Sequence, residues 1–143
     1  MKAKLTTYTL PRPFQGYNIP VAIQSAYMRD YAARSGYQFS LPVTELTTSN
    51  SYLMLMKIVR AEYDEPLNLA ACSGFVFPVE NPDLLHSIFF DKEASEDLSI
   101  HLVLEAKIVD RQGLMDWAHG LRRIRNLVRS YNDQDLRLFK QSI

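Results

Sequence analysis

The fold of this chain is constrained most by residues 67–77, LNLAACSGFVF, which form its most continuously apolar segment. Strands that are apolar throughout, rather than at alternate positions, are typical of parallel sheets covered on both faces. At 143 residues the chain has the size of one ordinary domain, 1–143. The run therefore predicts the central strand of a mainly parallel sheet in a single α/β domain.

Helices are expected on both sides of this strand. Pro20 suits the first position of a helix and Gly36 suits the residue after its end, so the first helix is predicted over residues 20–35. Its inner face is expected to carry Ile23, Tyr27 and Tyr31, which repeat at four-residue spacing. A polar run at 44–51 precedes a second predicted helix, whose inner face would carry Leu55, Met56, Val59 and Tyr63.

The remaining segments complete an alternation of strands and helices. Strands are predicted at 4–10, 37–42 and 98–104, and helices at 83–90 and 114–131, with 132–143 as a polar tail. This alternation is typical of a small three-layer α/β sandwich with right-handed crossovers. We therefore expect a mainly parallel sheet of four or five strands, in resolvase-like or flavodoxin-like order.

Composition disfavours several classes of function. Sixteen basic and sixteen acidic residues cancel, so nucleic acid and anionic membranes are not expected as partners. The single cysteine, Cys72, cannot form an internal disulfide, and its apolar neighbours favour a buried side chain in a protein of the reducing cytoplasm. Residues 1–9 lack the apolar core of a secretory signal, and no apolar run is long enough to span a membrane. The histidines are scattered without metal-ligand spacing, so no metal or cofactor is expected.

Doubly wound α/β folds bind ligands beyond the carboxyl ends of their strands, where the strand order reverses. Arg12 comes just after the first strand, with Gln15 and Asn18 close behind, and these side chains could bind a phosphate, a carboxylate or sugar hydroxyls. In the alternative interpretation, Arg12 braces its loop through backbone carbonyls while Gln15 and Asn18 complete turns. Ser49, Asn50 and Ser51 likewise either hold an anion with their backbone amides or cap the second helix.

Two carboxylates are candidates for proton transfer. Glu45 follows the second predicted strand and Glu105 follows the fourth, so both are expected over the same edge of the sheet. Alternatively, Glu45 pairs with Arg12 or Arg29 as a structural ion pair. The chain has no phosphate-binding glycine motif of either common type, so no nucleotide site is indicated at the level of motifs.

The last predicted helix is basic on one side and apolar on the other. Its apolar side exceeds what one domain would cover, which favours a homodimer formed through this helix. The basic side could contact nucleic acid, although a solvated surface is the simpler interpretation. Its arginines are Arg122, Arg123, Arg125 and Arg129.

A further set of residues indicates a resemblance to a known protein family: Arg12-Pro13-Phe14, Gly16, Ile19-Pro20, Gln24, Arg29-Asp30-Tyr31, Glu45 and Met54-Leu55. In these residues the chain resembles the sporadic carbohydrate cluster protein family, whose members occur in bacterial gene regions for cell-surface carbohydrate synthesis. The resemblance implies a cytoplasmic protein of surface-polysaccharide biosynthesis that binds or converts an activated or acidic sugar, such as a sugar nucleotide. It also leaves open a non-catalytic partner-binding or assembly subunit of a carbohydrate biosynthesis complex.

The order of the predicted elements is also similar to that of the catalytic domain of serine recombinases. Those enzymes need a serine two residues after an arginine at the end of the first strand. Here Phe14 stands two residues after Arg12. Recombinase activity is therefore not expected, and this likeness concerns the fold alone.

Overall fold

The structure is a computed structural model that describes residues 2–14, 16–47, 50–91 and 97–142, with side chains described as far as residue 130. The described residues form four α-helices and a six-stranded, mostly parallel sheet. In chain order the elements are β1 (Lys4–Thr9), α1 (Val21–Ser35), β2 (Gln38–Phe39), β3 (Val43–Thr44), α2 (Leu53–Arg60), β4 (Leu67–Ala71), a 3₁₀ turn (Gly74–Val76), α3 (Pro82–Phe89), β5 (Leu98–Leu102), β6 (Lys107–Val109) and α4 (Arg111–Ser142).

The sheet has the order β2-β1-β4-β5-β6, and β3 also pairs with β1. All pairs are parallel except β5 with β6. β4 occupies the middle of this order and pairs with β1 on one side and β5 on the other, which confirms the predicted central strand. The mainly parallel α/β architecture expected from the alternation is likewise confirmed.

The sheet has more strands than predicted because two segments behave differently from expectation. The predicted strand 37–42 contains only β2, and the separate strand β3 begins directly after Pro42, which has no amide hydrogen to continue a ladder. Side chains bridge the break: Ser40 Oγ donates to Leu5 O (2.5 Å), and Thr7 Oγ1 donates to Ser40 O (3.0 Å). The short strand β6 was not predicted; it returns antiparallel to β5 after a turn in which Ala106 has a φ of 54°.

The two faces of the sheet carry separate hydrophobic clusters. The smaller cluster joins Leu5 and Ala70 of the sheet to Met28 and Ala32 of α1. The larger cluster lies on the other face and includes buried residues of α2, α3 and α4. Since neighbouring strand residues point to opposite faces, α1 packs on one face and the other helices pack on the opposite face.

The predicted inner face of α1 is offset from the observed one. Ile23 and Tyr27 are exposed and Tyr31 is half-buried, whereas Gln24, Met28 and Ala32 are buried. The offset arises because the polar side chain of Gln24 is buried, where its amide forms hydrogen bonds within the protein. In α2, Leu55 and Val59 are buried as expected and Met56 is half-buried, but Tyr63 lies beyond the end of the helix.

Local signals defined helix ends well. The Asn81 side chain accepts a hydrogen bond from Leu84 N (3.1 Å) ahead of Pro82, and Gly36 ends α1 in the left-handed conformation with a φ of 77°. By contrast, the apolar strand predicted over residues 67–77 ends at Ala71, and residues 72–77 are not part of it. Ser73 Oγ accepts from Phe75 N and starts the 3₁₀ turn, and a Cβ on Gly74 would overlap the ring of Trp117.

Helix α4 is longer than the predicted segment 114–131 and extends over about 48 Å, at 1.5 Å per residue. Its first turns pack on the sheet through Leu114 and Ala118. Three apolar side chains further along are mostly exposed: Ile124 at 61%, Leu127 at 65% and Val128 at 51%. Among the helices of the described residues, none is both long enough and apolar enough to cross a membrane.

Candidate functional site

The strand order reverses between β1 and β4. The chain leaves β1 through α1 toward β2, and it leaves β4 through α3 toward β5, on the opposite face and in the opposite direction. A cavity of about 700 Å³ opens at the carboxyl ends of these two strands. It is lined by Leu10, Arg12, Pro13, Phe14, Thr47, Asn50, Tyr52, Phe75, Phe77, Pro78, Val79, Glu80, Asn81 and Leu84.

This place is where doubly wound folds bind their ligands. A smaller cavity of about 430 Å³ lies at the opposite, amino ends of β1 and β4, near Lys4 and Asn68. The larger cavity falls within the range of about 300–1,000 Å³ typical of small-molecule sites. It is therefore the candidate functional site.

Arg12 is the basic side chain that lines this cavity, and it also ties two loops together. Its Nη1 donates to Leu46 O (3.2 Å) and its Nη2 donates to Ser51 O (2.6 Å). Its guanidinium carbon lies 4.8 Å from the centre of the Tyr52 ring, a cation–π geometry. The predicted bracing through backbone carbonyls is thus present, and the same side chain contributes positive charge to the cavity.

Glu45 is buried, with 2% exposure, and it serves as the cap of α2. Its Oε2 accepts from Leu46 N (2.9 Å) and Met54 N (3.1 Å), while its Oε1 accepts from Leu55 N (3.3 Å) and the Tyr8 hydroxyl (2.9 Å). A carboxylate at a helix N-terminus is stabilised by the free amides and by the helix dipole. These partners are a tyrosine and three backbone amides rather than the expected Arg12 or Arg29, and Glu45 does not line the cavity.

The Tyr8 hydroxyl shares this buried environment. Burial raises the pKa of Tyr8 well above its usual range, and the hydrogen bond to Glu45 raises it further. Tyr8 is therefore a neutral donor to Glu45 across the physiological range of pH. The pair stabilises the junction between β1 and α2 over 37 residues of sequence separation.

Glu105 is half-buried and holds the turn after β4. Its Oε1 accepts from Ser73 Oγ (2.9 Å) and Gly74 N (2.5 Å). Burial, with a smaller contribution from the charge of Glu105, raises the pKa of the neighbouring Cys72 thiol to about 12. Cys72 is fully buried, as predicted. Like Glu45, Glu105 is absent from the cavity lining.

The other predicted ligand residues are distributed differently from expectation. Asn18 is exposed and does not line the cavity. Ser51 accepts from Arg12 through its carbonyl and from Leu53 N through its hydroxyl (3.4 Å), which is a capping contact. Gln15 and Ser49 lie outside the described residues. The amides of Met54 and Leu55, at the start of α2, donate to Glu45 instead of to a serine side chain.

Several cavity residues were not anticipated from the sequence. Phe75 and Phe77 fell inside the predicted strand 67–77, but the chain turns at Gly74 and carries both rings over the end of the sheet. Tyr52 stood at the edge of a polar run with no periodicity to single it out. Of the polar residues in the lining, Thr47, Glu80 and Asn81 were not predicted as ligand residues, whereas Asn50 belongs to the run 49–51 that was considered for an anion.

Two arginines of α4 brace the wall of the cavity instead of forming a solvated surface. Arg122 Nη1 donates to Val79 O (2.5 Å), and Arg125 pairs with Glu80. Val79 and Glu80 both line the cavity, so α4 helps to define its shape. Arg123 and Arg129 are exposed, as expected for a solvated basic face.

Gln24, one of the residues that carry the family resemblance, has a structural role. Its Oε1 accepts from Leu10 N (3.0 Å), and its Nε2 donates to Leu10 O and Ile19 O (2.7 Å each). This buried amide therefore joins the end of β1 to the start of α1. It holds the loop that carries Arg12 and Phe14 in place.

His101 forms a buried polar cluster on the α1 face of the sheet. It is 1% exposed, its Nδ1 lies 2.6 Å from the Tyr31 hydroxyl, and its Nε2 lies 3.0 Å from Asn68 Oδ1. Burial lowers the pKa of His101 to about 4, so the ring is neutral at physiological pH. His101 is therefore a packed, hydrogen-bonded side chain. No group of three or more metal-ligating side chains occurs within the part of the chain that the structure describes.

Comparison with known proteins adds no identification. No protein-family model, no curated protein and no solved structure matches this chain.

Proposed function

We propose that this chain belongs to the sporadic carbohydrate cluster protein family and acts in the cytoplasm in bacterial cell-surface polysaccharide biosynthesis. Its role there is to bind an activated or acidic sugar in the cavity at the carboxyl ends of β1 and β4. The proposed scaffold is a three-layer α/β sandwich in which β2 and β3 count as one interrupted strand. The strand order then begins 2-1-3-4, as in flavodoxin-like folds.

The observation that carries this proposal is the position of Arg12 in the lining of the 700 Å³ cavity. Acidic and activated sugars carry a carboxylate or phosphate, and a guanidinium binds either group through paired N–H donors. Arg12 is held in place by Leu46 O, Ser51 O and the Tyr52 ring, so its charge is positioned before a ligand arrives. Such preorganisation lowers the entropic cost of binding.

The proposed function is ligand binding, and it includes no chemical step. Glu45 and Glu105 remain the candidate proton-transfer residues, but their hydrogen bonds to backbone amides support structural roles. A proton-transfer group must come within hydrogen-bond reach of the substrate. Neither carboxylate lines the cavity, so ligand binding is the function that the geometry supports best.

A thermal-shift screen tests the proposed binding. The purified protein is heated with sugar nucleotides, sugar phosphates and acidic keto sugars, alongside Arg12→Ala and the control Arg60→Ala. Arg60 is bonded to Asp91 (3.1 Å) and does not line the cavity. A ligand at about 100 times its Kd stabilises the protein by about 2.7 kcal/mol, which raises the melting temperature by several degrees. The proposal predicts a shift that Arg12→Ala abolishes and Arg60→Ala retains; a shift that survives Arg12→Ala refutes it.

A second candidate function is that of an assembly subunit, and it is supported by helix α4. Ile124, Leu127 and Val128 occupy one face of the helix at spacings of three and four residues, and all three are mostly exposed. Exposed apolar stripes of this kind mark protein–protein contacts, and a second copy of the chain is the partner proposed here.

Substitution within this stripe separates the two functions. The double variant Ile124→Glu and Val128→Glu should convert a dimer into a monomer in light scattering coupled to gel filtration, while Arg12→Ala should not. Charge reversal at Arg122 or Arg125 is a poor test because both side chains contact the chain's own residues 79–80. A wild-type chain that is monomeric at high concentration would refute the homodimer.

A further inference from the structure

The cavity has two chemically different sides. Arg12, Thr47 and Asn50 bring a positive charge, a hydroxyl and an amide to the side formed by the loops after β1 and β3. Phe75 and Phe77 follow β4 and bring two aromatic rings to the other side. A ligand that matches both sides carries an anionic group at one end and a flat, apolar ring at the other.

The aromatic side chains differ in how accessible they are. Phe77 is buried, stacks on Tyr8 with ring centroids 6.2 Å apart and lines the cavity. Phe75 and Tyr52 are only half-buried, although both line the cavity. One edge of Phe75 is fixed by Trp117, with ring centroids 5.4 Å apart at an angle of 62°. The Arg12 guanidinium covers part of the Tyr52 ring. Phe75 and the remaining surface of Tyr52 therefore offer partly solvated aromatic surface that a planar ring can cover.

The polar side chains beside α3 are engaged in contacts within the protein. Asn81 Oδ1 accepts from Leu84 N to cap the helix, and Glu80 pairs with Arg125. A sugar ring needs several hydrogen-bond partners for its hydroxyls, whereas a nucleobase can bind an aromatic side chain by stacking. The aromatic side of the cavity is therefore better suited to a base than to a polyhydroxylated ring.

We propose that this cavity recognises the nucleoside diphosphate part of an activated sugar, with the base against Phe75 and Tyr52 and the phosphates toward Arg12. The inference rests on the proposed function and narrows its ligand from acidic or activated sugars to nucleotide-linked ones. The chain has no phosphate-binding glycine motif. Here the phosphates meet side chains, Arg12 with Thr47 and Asn50, instead of the backbone amides of a glycine-rich loop.

The first part of the test compares probes on the wild-type protein by isothermal titration calorimetry. The probes are uridine diphosphate and adenosine diphosphate, with ribose 5-diphosphate as the matched probe without a base and an acidic keto sugar as the probe without a nucleotide. At least one nucleoside diphosphate should bind about tenfold or more tightly than ribose 5-diphosphate, since stacking of one base contributes that much affinity. Equal affinity for ribose 5-diphosphate or the keto sugar would overturn this inference and leave the proposed sugar site standing.

The second part uses variants of the aromatic surface. Phe75→Leu should weaken binding of the nucleoside diphosphate by about tenfold while ribose 5-diphosphate is unaffected. Tyr52→Leu should weaken binding of both probes, and of the nucleoside diphosphate more strongly, because Tyr52 also packs against Arg12. Phe90→Leu is the matched control, because Phe90 stacks on His86 at 4.8 Å and does not line the cavity. If both cavity variants fold, as judged by circular dichroism, and bind the nucleotide as wild type does, the inference is wrong. Failure of every probe to bind would overturn the inference and the proposed function together.

Discussion

Replacing the carboxylate of Glu45 by an amide isolates the structural role of this residue. Glu45→Gln keeps the size of the side chain but removes its charge and converts one acceptor oxygen into a donor. In the more favourable orientation, the amide oxygen accepts from Leu46 N and Met54 N, and the new NH₂ group donates to the Tyr8 oxygen. The amide of Leu55 then faces a donor and has lost its acceptor.

The expected cost follows from these contacts. A buried amide without an acceptor costs about 1–3 kcal/mol, and removing a negative charge from a helix N-terminus costs about 0.3–2 kcal/mol. Glu45→Gln should therefore destabilise the protein by roughly 1–5 kcal/mol. Glu45→Ala should cost more, because Leu46, Met54, Leu55 and Tyr8 all lose their acceptor at once.

Urea unfolding at neutral pH, followed by circular dichroism, measures this loss directly. Glu62→Gln is the control, since Glu62 is exposed and its substitution should change stability by no more than about 0.5 kcal/mol. A Glu45→Gln protein as stable as wild type would refute the capping role. If that variant also lost ligand turnover, the proton-transfer role of Glu45 would gain support instead.

Three other perturbations test separate parts of the structure. Gly74→Ala should destabilise the protein by about 1–3 kcal/mol, because the added methyl overlaps the Trp117 ring, and Trp117→Leu should relieve much of that cost in a double-mutant cycle. Burial lowers the pKa of His101 from 6.5 to about 4. As the pH drops from 6.5 to 4, the unfolded chain therefore binds a proton that the folded chain does not bind, and the free energy of unfolding should fall by up to about 3 kcal/mol. Urea unfolding over that pH range should show this slope, which His101→Gln should reduce; an equal slope in both proteins would contradict it. Finally, the fully buried Cys72 thiol, with its pKa raised to about 12, should react with a thiol reagent at neutral pH only after unfolding, and rapid labelling of the native protein would contradict that expectation.

The strand–helix alternation predicted ligand binding beyond the strand ends. A cavity lies there and Arg12 lines it, whereas most of the other lining residues were not predicted. The two glutamates were placed over the same edge because each follows a strand. Their side chains instead accept hydrogen bonds from amides of nearby turns and helix ends, a choice that depends on partners up to 37 residues away.

The inner face of α1 shows the same limit at the level of packing. Hydrophobic spacing selected Ile23 and Tyr27, yet Gln24 is buried because its amide satisfies the backbone of Leu10 and Ile19. Periodicity scores side chains by polarity, so it cannot recognise a polar residue that is buried in a hydrogen-bonded position. The short antiparallel strand β6 was not predicted, because its three residues are too few to show the alternation of apolar and polar side chains that indicates a strand.

Three features depend on neighbouring residues and could be read from the sequence: the apolar run that becomes β4, the asparagine–proline start of α3 and the glycine that ends α1. Which loops meet across the sheet became visible in the folded chain. Arg12 contacts carbonyls 34 and 39 residues away, and aromatic residues from separate loops converge on one cavity. The physical reason is that caps and periodicity are local, whereas a site is formed by side chains that long-range strand pairing brings together.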